Sequence, residues 1–434
     1  NCYGGGNATG QKTTDIRLQG SSIVNLFGGS NSSGTVNTSN VTVTSGVVSG
    51  NIYGGNNVGG TTIDTNVTVS GINSIGGDIY GGGSLADSTT SNVAVGAVTV
   101  NDVYGGGEQA SVDTTKVTIN GATGDSVFGG SNVSGDVQTS EVLINSGTLN
   151  NVYGGNNQGG VTGTANIDLT GGNYTNIYGG GNLTPTDDTY VEVDGITMAG
   201  EFFGGGNQAG INNNTNVIFK NSNITGDLFG GGNLGVVSGN TDVYISNSHI
   251  ESSAYAGGNG VSAIVEGNTL INVDNNSIID KHVFGGGNAA NTGLTTLDNS
   301  VSKVNIAGAT IGGNVYGGAN TAKLFGVVEL NIGTDVTPND LIKSDILIKG
   351  TVFGGGEANA SGSEDYDWKF ISVTTGINIK IDGNNHDNFD INGSIFGSGN
   401  ASTTSGYSYV DISNYGTFND YKDLIVKLNK TNPV

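Results

Sequence analysis

The sequence is poor in cysteine, proline, arginine and long apolar runs. Cys2 is the only cysteine, which excludes an internal disulfide and a metal site built from cysteines. No stretch of 18 apolar residues occurs, so no transmembrane segment is expected. Arg17 is the only arginine, and the net charge of −23 predicts a surface that repels phosphate backbones. We therefore expect no nucleic acid partner.

Glycine, by contrast, supplies 79 of the 434 residues, and short runs of alternating valine, isoleucine and threonine occur along the whole chain. This composition predicts many short strands joined by tight turns. A repeat protein almost free of cysteine fits a secreted bacterial surface protein, so we expect an extracellular or cell-surface location. The chain opens within a repeat, at Asn1-Cys2-Tyr3, and we expect it to be part of a longer polypeptide.

An aromatic residue followed by glycines and a polar residue recurs throughout the chain. The spacing is about 24 to 27 residues as far as Tyr255 and then widens to about 43. Such a fixed period is the signature of a solenoid or another repeat architecture. The aromatic positions are Tyr3, Phe27, Tyr53, Tyr80, Tyr104, Phe128, Tyr153, Tyr178, Phe203, Phe229, Tyr255, Phe284, Tyr316, Phe353 and Phe396.

The neighbours of each aromatic residue indicate local structure. An apolar residue precedes the ring and a polar residue precedes that, which is the alternation of a strand. Two glycines follow, and they predict a sharp turn with positive φ. Strict alternation would turn the ring outward as a binding stripe for glycans, but the glycine turn favours packing in the core or the turn.

Asparagine stands four residues after most of the aromatics, and only Ser84, Glu108 and Glu357 break the series. Stacked coils place equivalent residues about 4.8 Å apart, and an amide both donates and accepts hydrogen bonds. We therefore predict a structural asparagine ladder, with a row that binds a polar ligand as the alternative. Its members are Asn7, Asn31, Asn57, Asn132, Asn157, Asn182, Asn207, Asn233, Asn259, Asn288, Asn320 and Asn400.

About fourteen residues after each aromatic comes a second strand with alternating valine or isoleucine, such as Val67-Thr68-Val69. Two or three strands in roughly 25 residues make one coil of a parallel β-helix. The predicted fold is therefore all-β, a parallel β-solenoid of about fifteen coils over residues 1–400, with longer coils and inserts from about residue 256. Residues 401–434 are expected to form a terminal coil, a cap or a junction.

The asparagine ladder, the coil length and the inward valines and isoleucines resemble right-handed parallel β-helix proteins, the architecture of pectate lyases, autotransporter passengers and tailspikes. The resemblance implies a right-handed solenoid. The aromatic-Gly-Gly-Gly-Asn repeat resembles large surface and adhesin-like proteins of clostridia and related Gram-positive bacteria. Both resemblances cover residues 1 to about 400, and they imply architecture more than activity, because fold does not fix function.

The sequence contains few candidate catalytic residues. A lyase of the β-helix type needs a basic residue beside a neutralised uronate, and Lys220 and Lys281 lie in separate coils. A glycoside hydrolase needs a carboxyl pair, and the adjacent Asp187 and Asp188 are expected in a solvated loop. His282 is expected to be an exposed strand residue. We assign no catalytic residue and expect a protein that is not an enzyme.

The inserts near the C-terminus are the candidate ligand sites, since loops on a rigid scaffold carry function. Tyr366 and Trp368 offer flat faces for stacking on sugar rings, and His386 lies in the following insert. Glu364, Asp365 and Asp367 supply the oxygen ligands that Ca²⁺ prefers, so Ca²⁺ is the only cofactor the sequence suggests. The alternative is that these inserts form a structural cap or a junction.

The sequence thus favours a non-enzymatic structural or adhesive rod of a secreted bacterial surface protein. Its expected partners are a glycan or another ligand on a host or cell surface, and further copies of itself arranged end to end or side by side. Two alternatives stay open. One is a carbohydrate-active β-helix enzyme, a polysaccharide lyase or hydrolase, and the other is a subunit of an extracellular fibre.

Overall fold

The structure is a computed structural model, and it describes residues 1–71, 74–294, 300–333, 344–357, 374–383, 386, 388–400, 406–413 and 426–427. The chain divides into two compact units. Unit 1 comprises Asn1–Ala199 and Gly206–Ile211, and unit 2 comprises Gly200–Gly205 and Asn212–Val434. Within the described ranges the regular structure is strand only, without a helix. No described part of the chain therefore offers a helix that could cross a membrane.

Unit 1 contains eighteen strands. They are β1 (Cys2–Tyr3), β2 (Gln11–Leu18), β3 (Ser21–Ile23), β4 (Leu26–Phe27), β5 (Thr35–Val43), β6 (Gly46–Val48), β7 (Ile52–Tyr53), β8 (Thr61–Val69), β9 (Ser74–Ile75), β10 (Ile79–Tyr80), β11 (Ser88–Val95), β12 (Asp102–Tyr104), β13 (Val112–Phe128), β14 (Val137–Tyr153), β15 (Thr162–Leu169), β16 (Asn173–Tyr178), β17 (Thr186–Asp194) and β18 (Thr197–Met198).

Unit 2 contains the remaining described strands. They are β19 (Phe202–Phe203), β20 (Thr215–Lys220), β21 (Asn223–Ile224), β22 (Leu228–Phe229), β23 (Thr241–Ser246), β24 (His249–Ile250), β25 (Ala254–Tyr255), β26 (Thr269–Asp274), β27 (Ser277–Ile279), β28 (Val283–Phe284), β29 (Val301–Ile306), β30 (Ala309–Ile311), β31 (Val315–Tyr316), β32 (Gly326–Ile332), β33 (Ile346–Ile348), β34 (Val352–Phe353), β35 (Thr374–Asp382), β36 (Phe389–Ile391), β37 (Ile395–Phe396), β38 (Tyr407–Ser413) and β39 (Val426–Lys427).

Each unit is a parallel β-solenoid, as the sequence predicts. Each strand pairs in parallel with its equivalent one coil away. Among the long strands β2 pairs with β5 and β5 with β8, and among the short strands that end in the aromatic β1 pairs with β4 and β4 with β7. The solenoid has about 12 turns, against about fifteen predicted from the motifs. The handedness and the boundary near residue 400 stay predictions.

The core alternates along the long strands. In β5 the side chains of Ser39, Val41 and Val43 are buried, while Asn40 and Thr42 between them face outward. Because the register keeps equivalent residues opposite each other, the inward valines and isoleucines form continuous columns through each unit.

The aromatic residues of the motif are stacked, and all except Tyr3 and Phe396 at the two ends of the series are buried. In unit 1, successive rings from Tyr3 to Tyr178 have centroids 4.5 to 5.0 Å apart and interplanar angles of 2 to 13°. Unit 2 repeats the stack from Phe203 to Phe396. Packing in the core or the turn, which the sequence favoured, is therefore confirmed over an outward binding stripe. The ring faces cover one another, so they are not available to a sugar.

Glycine is required in the motif for a different reason from the predicted one. None of them has positive φ, so the predicted left-handed turn is wrong. Their role is close approach between coils: a Cβ on Gly54 would meet the carbonyl oxygen of Gly81, and a Cβ on Gly129 would meet that of Gly154. Glycine is required here because the backbone of the next coil occupies the space of a side chain.

Candidate functional site

The ladder asparagines and the tyrosine hydroxyls lie side by side, and we call this strip the seam. Where consecutive coils both carry the asparagine, the later amide donates from Nδ2 to Oδ1 of the earlier one. In unit 1 the bonds are Asn31 to Asn7 (2.8 Å), Asn57 to Asn31 (2.9 Å), Asn157 to Asn132 (2.9 Å), Asn182 to Asn157 (2.8 Å) and Asn207 to Asn182 (2.8 Å). In unit 2 they are Asn259 to Asn233 (3.1 Å), Asn288 to Asn259 (3.0 Å) and Asn320 to Asn288 (2.8 Å).

The residues that break the asparagine series still bond within the seam. Ser84 donates its hydroxyl to Oε2 of Glu108 over 2.8 Å, and the Tyr53 hydroxyl donates to the same oxygen over 2.7 Å. Glu357 hydrogen-bonds to Tyr316, and Asn400, the last ladder member, bonds to the same hydroxyl. The residues that replace asparagine therefore take part in hydrogen bonds of the seam through each other and through the tyrosine hydroxyls.

The tyrosines reach across two coils. Asn57 donates to the Tyr3 hydroxyl (3.3 Å), and the ladder amides two coils beyond Tyr80 and Tyr104 do the same at 2.9 and 3.3 Å. Burial raises the pKa of Tyr80 and Tyr104 well above the ordinary phenol value, so both remain protonated in water at neutral pH. Tyrosine in the motif thus fastens the ring stack to the amide ladder, which phenylalanine cannot do.

We expect Asn157→Leu to lower the free energy of unfolding by about 1–2 kcal/mol. The change removes the bonds of Asn157 to Asn132 and Tyr104 and leaves Asn182 without its acceptor in a half-buried strip. Asn37→Leu, at an exposed position of β5, is the matched control and should change little. Chemical denaturation of both variants measures the difference, and equal stability would show that the amide column is not structural.

A second polar column lies two residues before the aromatics. Its side-chain acceptors receive the backbone N–H of the equivalent residue one coil further: Asn25 from Asn51 (2.8 Å), Asn51 from Asp78 (2.9 Å) and Asp78 from Asp102 (3.3 Å). In unit 2 the side chains of Asp227, His282 and Asn314 accept the backbone N–H one coil further in the same way. The column satisfies backbone donors at the bend where the coil enters the aromatic strand.

Two carboxylates, Asp78 and Asp102, stack directly in this column. Burial raises the pKa of Asp102 to about 6, and the negative charge of Asp78 adds to the rise, while the N–H of Ser126 and the hydroxyl of Tyr104 lower it. The other described members in unit 1 are asparagine or serine, such as Asn51. A charged pair in a column of otherwise neutral side chains costs stability at neutral pH.

We expect the protein to gain stability as the pH falls from about 7 to about 4, because the pKa of Asp102 is about 6 when folded and about 3.9 when unfolded. Protonation therefore favours the folded form through this window, by at most about 3 kcal/mol from this group. Asp102→Asn should stabilise the protein at pH 7 and reduce the slope. Melting curves at several pH values test this, and an unchanged slope in the variant would contradict the assignment.

His282 is not the exposed residue that the sequence predicts. Its ring is half-buried and packs edge-on to Phe284 and Tyr316 at 5.9 Å, and Nδ1 accepts the backbone N–H of Asn314 over 2.8 Å. Burial lowers the pKa of His282, and nearby Lys281 acts in the same direction. The prediction failed because the position before the apolar residue faces the seam and not open solvent.

The other two histidines and the adjacent aspartates have different surroundings. His249 forms a surface pair with Asp280 at 3.1 Å. His386 bridges two backbone carbonyls, with Nδ1 at 2.8 Å from Ser344 O and Nε2 at 3.2 Å from Gly333 O. Asp187 and Asp188 lie in β17 and not in the predicted loop. Tyr366, Trp368, Glu364, Asp365 and Asp367 lie outside the described residues, so the glycan and Ca²⁺ sites stay predictions.

Buried hydroxyls form a further column that sequence reasoning missed. Ser39, Thr65 and Thr115 point inward and donate to the carbonyl oxygens of motif glycines in the next coil, each over 2.6 Å. The same bond recurs in unit 2 from Thr215 and Thr241. The available signal was a serine or threonine eleven or twelve residues after many of the aromatics, where only the valines and isoleucines were considered.

In the part of the chain that the structure describes, no three histidine, cysteine, aspartate or glutamate side chains come close enough to hold a metal ion. The comparisons with known proteins add no relative: no family model, no curated protein and no solved structure matches this chain. The resemblance to clostridial surface proteins is therefore not confirmed by any homologue. The class of protein that the structure defines is the parallel β-solenoid.

Proposed function

We propose that this chain is a non-enzymatic scaffold of a secreted bacterial surface protein, which holds adhesive inserts away from the cell. One observation carries the proposal: the polar side chains of the motif bond to their equivalents in neighbouring coils. Asn157, for example, donates to Asn132 and accepts from Asn182. Amides, hydroxyls and carboxylates that could serve chemistry are used to join coils, as a load-resisting scaffold requires.

The adhesive part of the proposal is supported by where the chain departs from the regular repeat. The repeats up to Tyr255 keep a nearly constant length, and the added residues come later, where Tyr366 and Trp368 occur. Because the motif rings cover each other's faces, sugar stacking falls to aromatics outside the motif.

A glycan-binding assay tests this role directly. We expect the purified chain to bind a subset of immobilised cell-surface glycans, and Trp368→Ala to abolish the binding without a change in melting temperature. Tyr190→Ala, at an exposed position of β17, is the control and should bind as the unmodified chain does. Absence of binding to glycans and to intact cells would contradict the adhesive role and leave only the scaffold role.

One observation favours the enzyme alternative, namely the meeting of His282, Tyr316 and Glu357 in unit 2. The lowered pKa of His282 keeps its imidazole neutral and able to accept a proton, and the charge of Glu357 acts on it. Release of unsaturated oligosaccharides from pectin, alginate or glycosaminoglycans that is lost in His282→Gln would establish a lyase. We expect no release, because Nδ1 is already occupied by Asn314.

A further inference from the structure

Two exposed tyrosines of unit 2 do not belong to the motif. Tyr407 and Tyr409 lie on β38, two residues apart, and their side chains are 60% and 53% exposed. Alternate residues of a strand point to the same face and are separated by about 7 Å, so the two rings stand side by side on one surface. Single exposed apolar residues are ordinary, whereas a pair of adjoining rings offers a ligand a continuous aromatic surface.

A glycine seats the first of these rings. Parallel pairing places Tyr407 opposite Gly376 of β35, and a Cβ on Gly376 would lie 2.8 Å from Cζ, 2.9 Å from Cε1 and 3.0 Å from the hydroxyl oxygen of the ring. The ring therefore lies over the glycine, which is buried although its position faces outward. The preceding coil has Val327 at this position. Because glycine has no side chain, the inner face of the ring rests on backbone and the outer face is presented to solvent.

Polar side chains adjoin the rings on the same surface. Asn378 of β35 lies opposite Tyr409, and Lys380 lies opposite Asp411 of β38. Asn378 is half-buried, and Lys380 and Asp411 are exposed. An amide, an ammonium and a carboxylate together donate and accept hydrogen bonds, as the hydroxyls of a sugar require. We call this surface the platform, and its members are Tyr407, Tyr409, Asn378, Lys380 and Asp411.

Charge and size select the ligand of the platform. Its one lysine and one aspartate cancel, and the whole chain carries a net charge of −23, so a neutral ligand avoids the repulsion that an anionic polysaccharide meets. A tyrosine offers about 150–250 Å² of contact when it is fully covered, so two that are little more than half exposed offer roughly 200 Å² together. A stable protein interface needs about 800 Å² on each side, which this surface does not supply.

We propose that the platform binds a neutral polysaccharide, whose hexose rings stack on Tyr407 and Tyr409 while their hydroxyls bond to the flanking polar side chains. The site is separate from the insert that contains Trp368 and does not depend on it. Contact through two exposed rings is weak, so it is measured at equilibrium in solution and is not retained on a surface of immobilised glycans after washing.

Calorimetric titration with neutral oligosaccharides tests the platform. Cellohexaose, maltohexaose and mannohexaose are titrated into the Trp368→Ala chain, in which the insert cannot contribute a stacking ring. We expect at least one of them to bind, and Tyr407→Leu or Tyr409→Leu in that background to weaken the binding at least about tenfold. Leucine keeps an apolar side chain over Gly376, so weaker binding at an unchanged melting temperature reports the ring and not the fold.

Tyr190→Leu is the matched control in the same background. Tyr190 is 50% exposed on β17, but Asp188 and Glu192 stand two residues away where the platform has a second ring. This variant should bind the oligosaccharide unchanged. Gly376→Ala keeps both tyrosines and displaces the ring of Tyr407 from its seat, so it should weaken binding as well.

Failure of all three oligosaccharides to bind the Trp368→Ala chain would overturn the proposal. Equal binding by the Tyr407→Leu and Tyr190→Leu variants would overturn it too, as would tighter binding of the anionic oligogalacturonate than of the neutral sugars. These outcomes are distinct from failure of the adhesive role of the insert, which is tested by the effect of Trp368→Ala on immobilised glycans with the platform intact.

Discussion

Replacement of Tyr104 by alanine is expected to lower the free energy of unfolding by about 4 kcal/mol. The Tyr104 ring lies between Tyr80 at 5.0 Å and Phe128 at 4.9 Å, with interplanar angles of 7° on both sides, and it is 1% exposed. Its removal leaves a cavity in the middle of the stack and exposes two ring faces that no other side chain can cover.

Two further variants separate the contributions of the ring. Tyr104→Phe keeps the stack but loses the hydroxyl bonds to Asp102 (3.2 Å) and Asn157 (3.3 Å), so a loss of about 1 kcal/mol is expected. Tyr190→Ala, at a side chain that is 50% exposed, should cost much less than Tyr104→Ala. Urea denaturation of the three variants gives the ranking, and similar losses for Tyr104→Ala and Tyr190→Ala would mean that the ring stack is not part of the core.

Addition of a single methyl group at Gly129 is expected to cost about 3 kcal/mol. The new Cβ would meet the carbonyl oxygen of Gly154 and would lie 2.9 Å from Cβ of Ser140. Relief requires the next coil to move away, which strains the bonds from the N–H of Gly129 to Tyr153 (2.9 Å) and from Thr115 to the Gly129 carbonyl (2.6 Å).

Gly96→Ala is the matched control for Gly129→Ala. At Gly96 the nearest atom to a new Cβ is a side-chain carbon of Ser70 at 3.3 Å. That contact is relieved by a small shift of an exposed residue, and alanine restricts the unfolded chain more than glycine does, so we expect a change within about 1 kcal/mol. A Gly129→Ala variant as stable as Gly96→Ala would refute the close-approach explanation of the motif glycines.

The fold followed from the sequence because the strongest signal, the aromatic followed by glycines, repeats in every coil. The register of the coils is implied by that repeat, and so is the pairing of Tyr53 with Tyr80. The reason for the glycines was not accessible, since the sequence reports a small residue and not whether φ or a neighbouring backbone demands it. Gly54 and Gly129 could be explained only by the atoms of the next coil.

The seam was predicted in part. The spacing of the asparagines predicts a column, but the bond of Asn132 to Tyr80, 52 residues earlier, depends on the axial offset between the ring stack and the ladder. No local pattern encodes that offset. The burial of His282 escaped prediction for the same reason, since the strand period indicates which side a residue faces and not how deep that side lies.

Hydrogen exchange at the motif glycines tests most directly whether in-register columns hold the coils together. The N–H groups of Gly105, Gly129 and Gly154 each bond to the carbonyl of the aromatic in the next coil, at 2.9, 2.9 and 3.0 Å. We predict that these amides exchange only when the solenoid opens, far more slowly than those of an unstructured peptide, and that Tyr104→Ala accelerates exchange at all three. Exchange of these amides at the rate of an unstructured peptide would contradict the stacked arrangement.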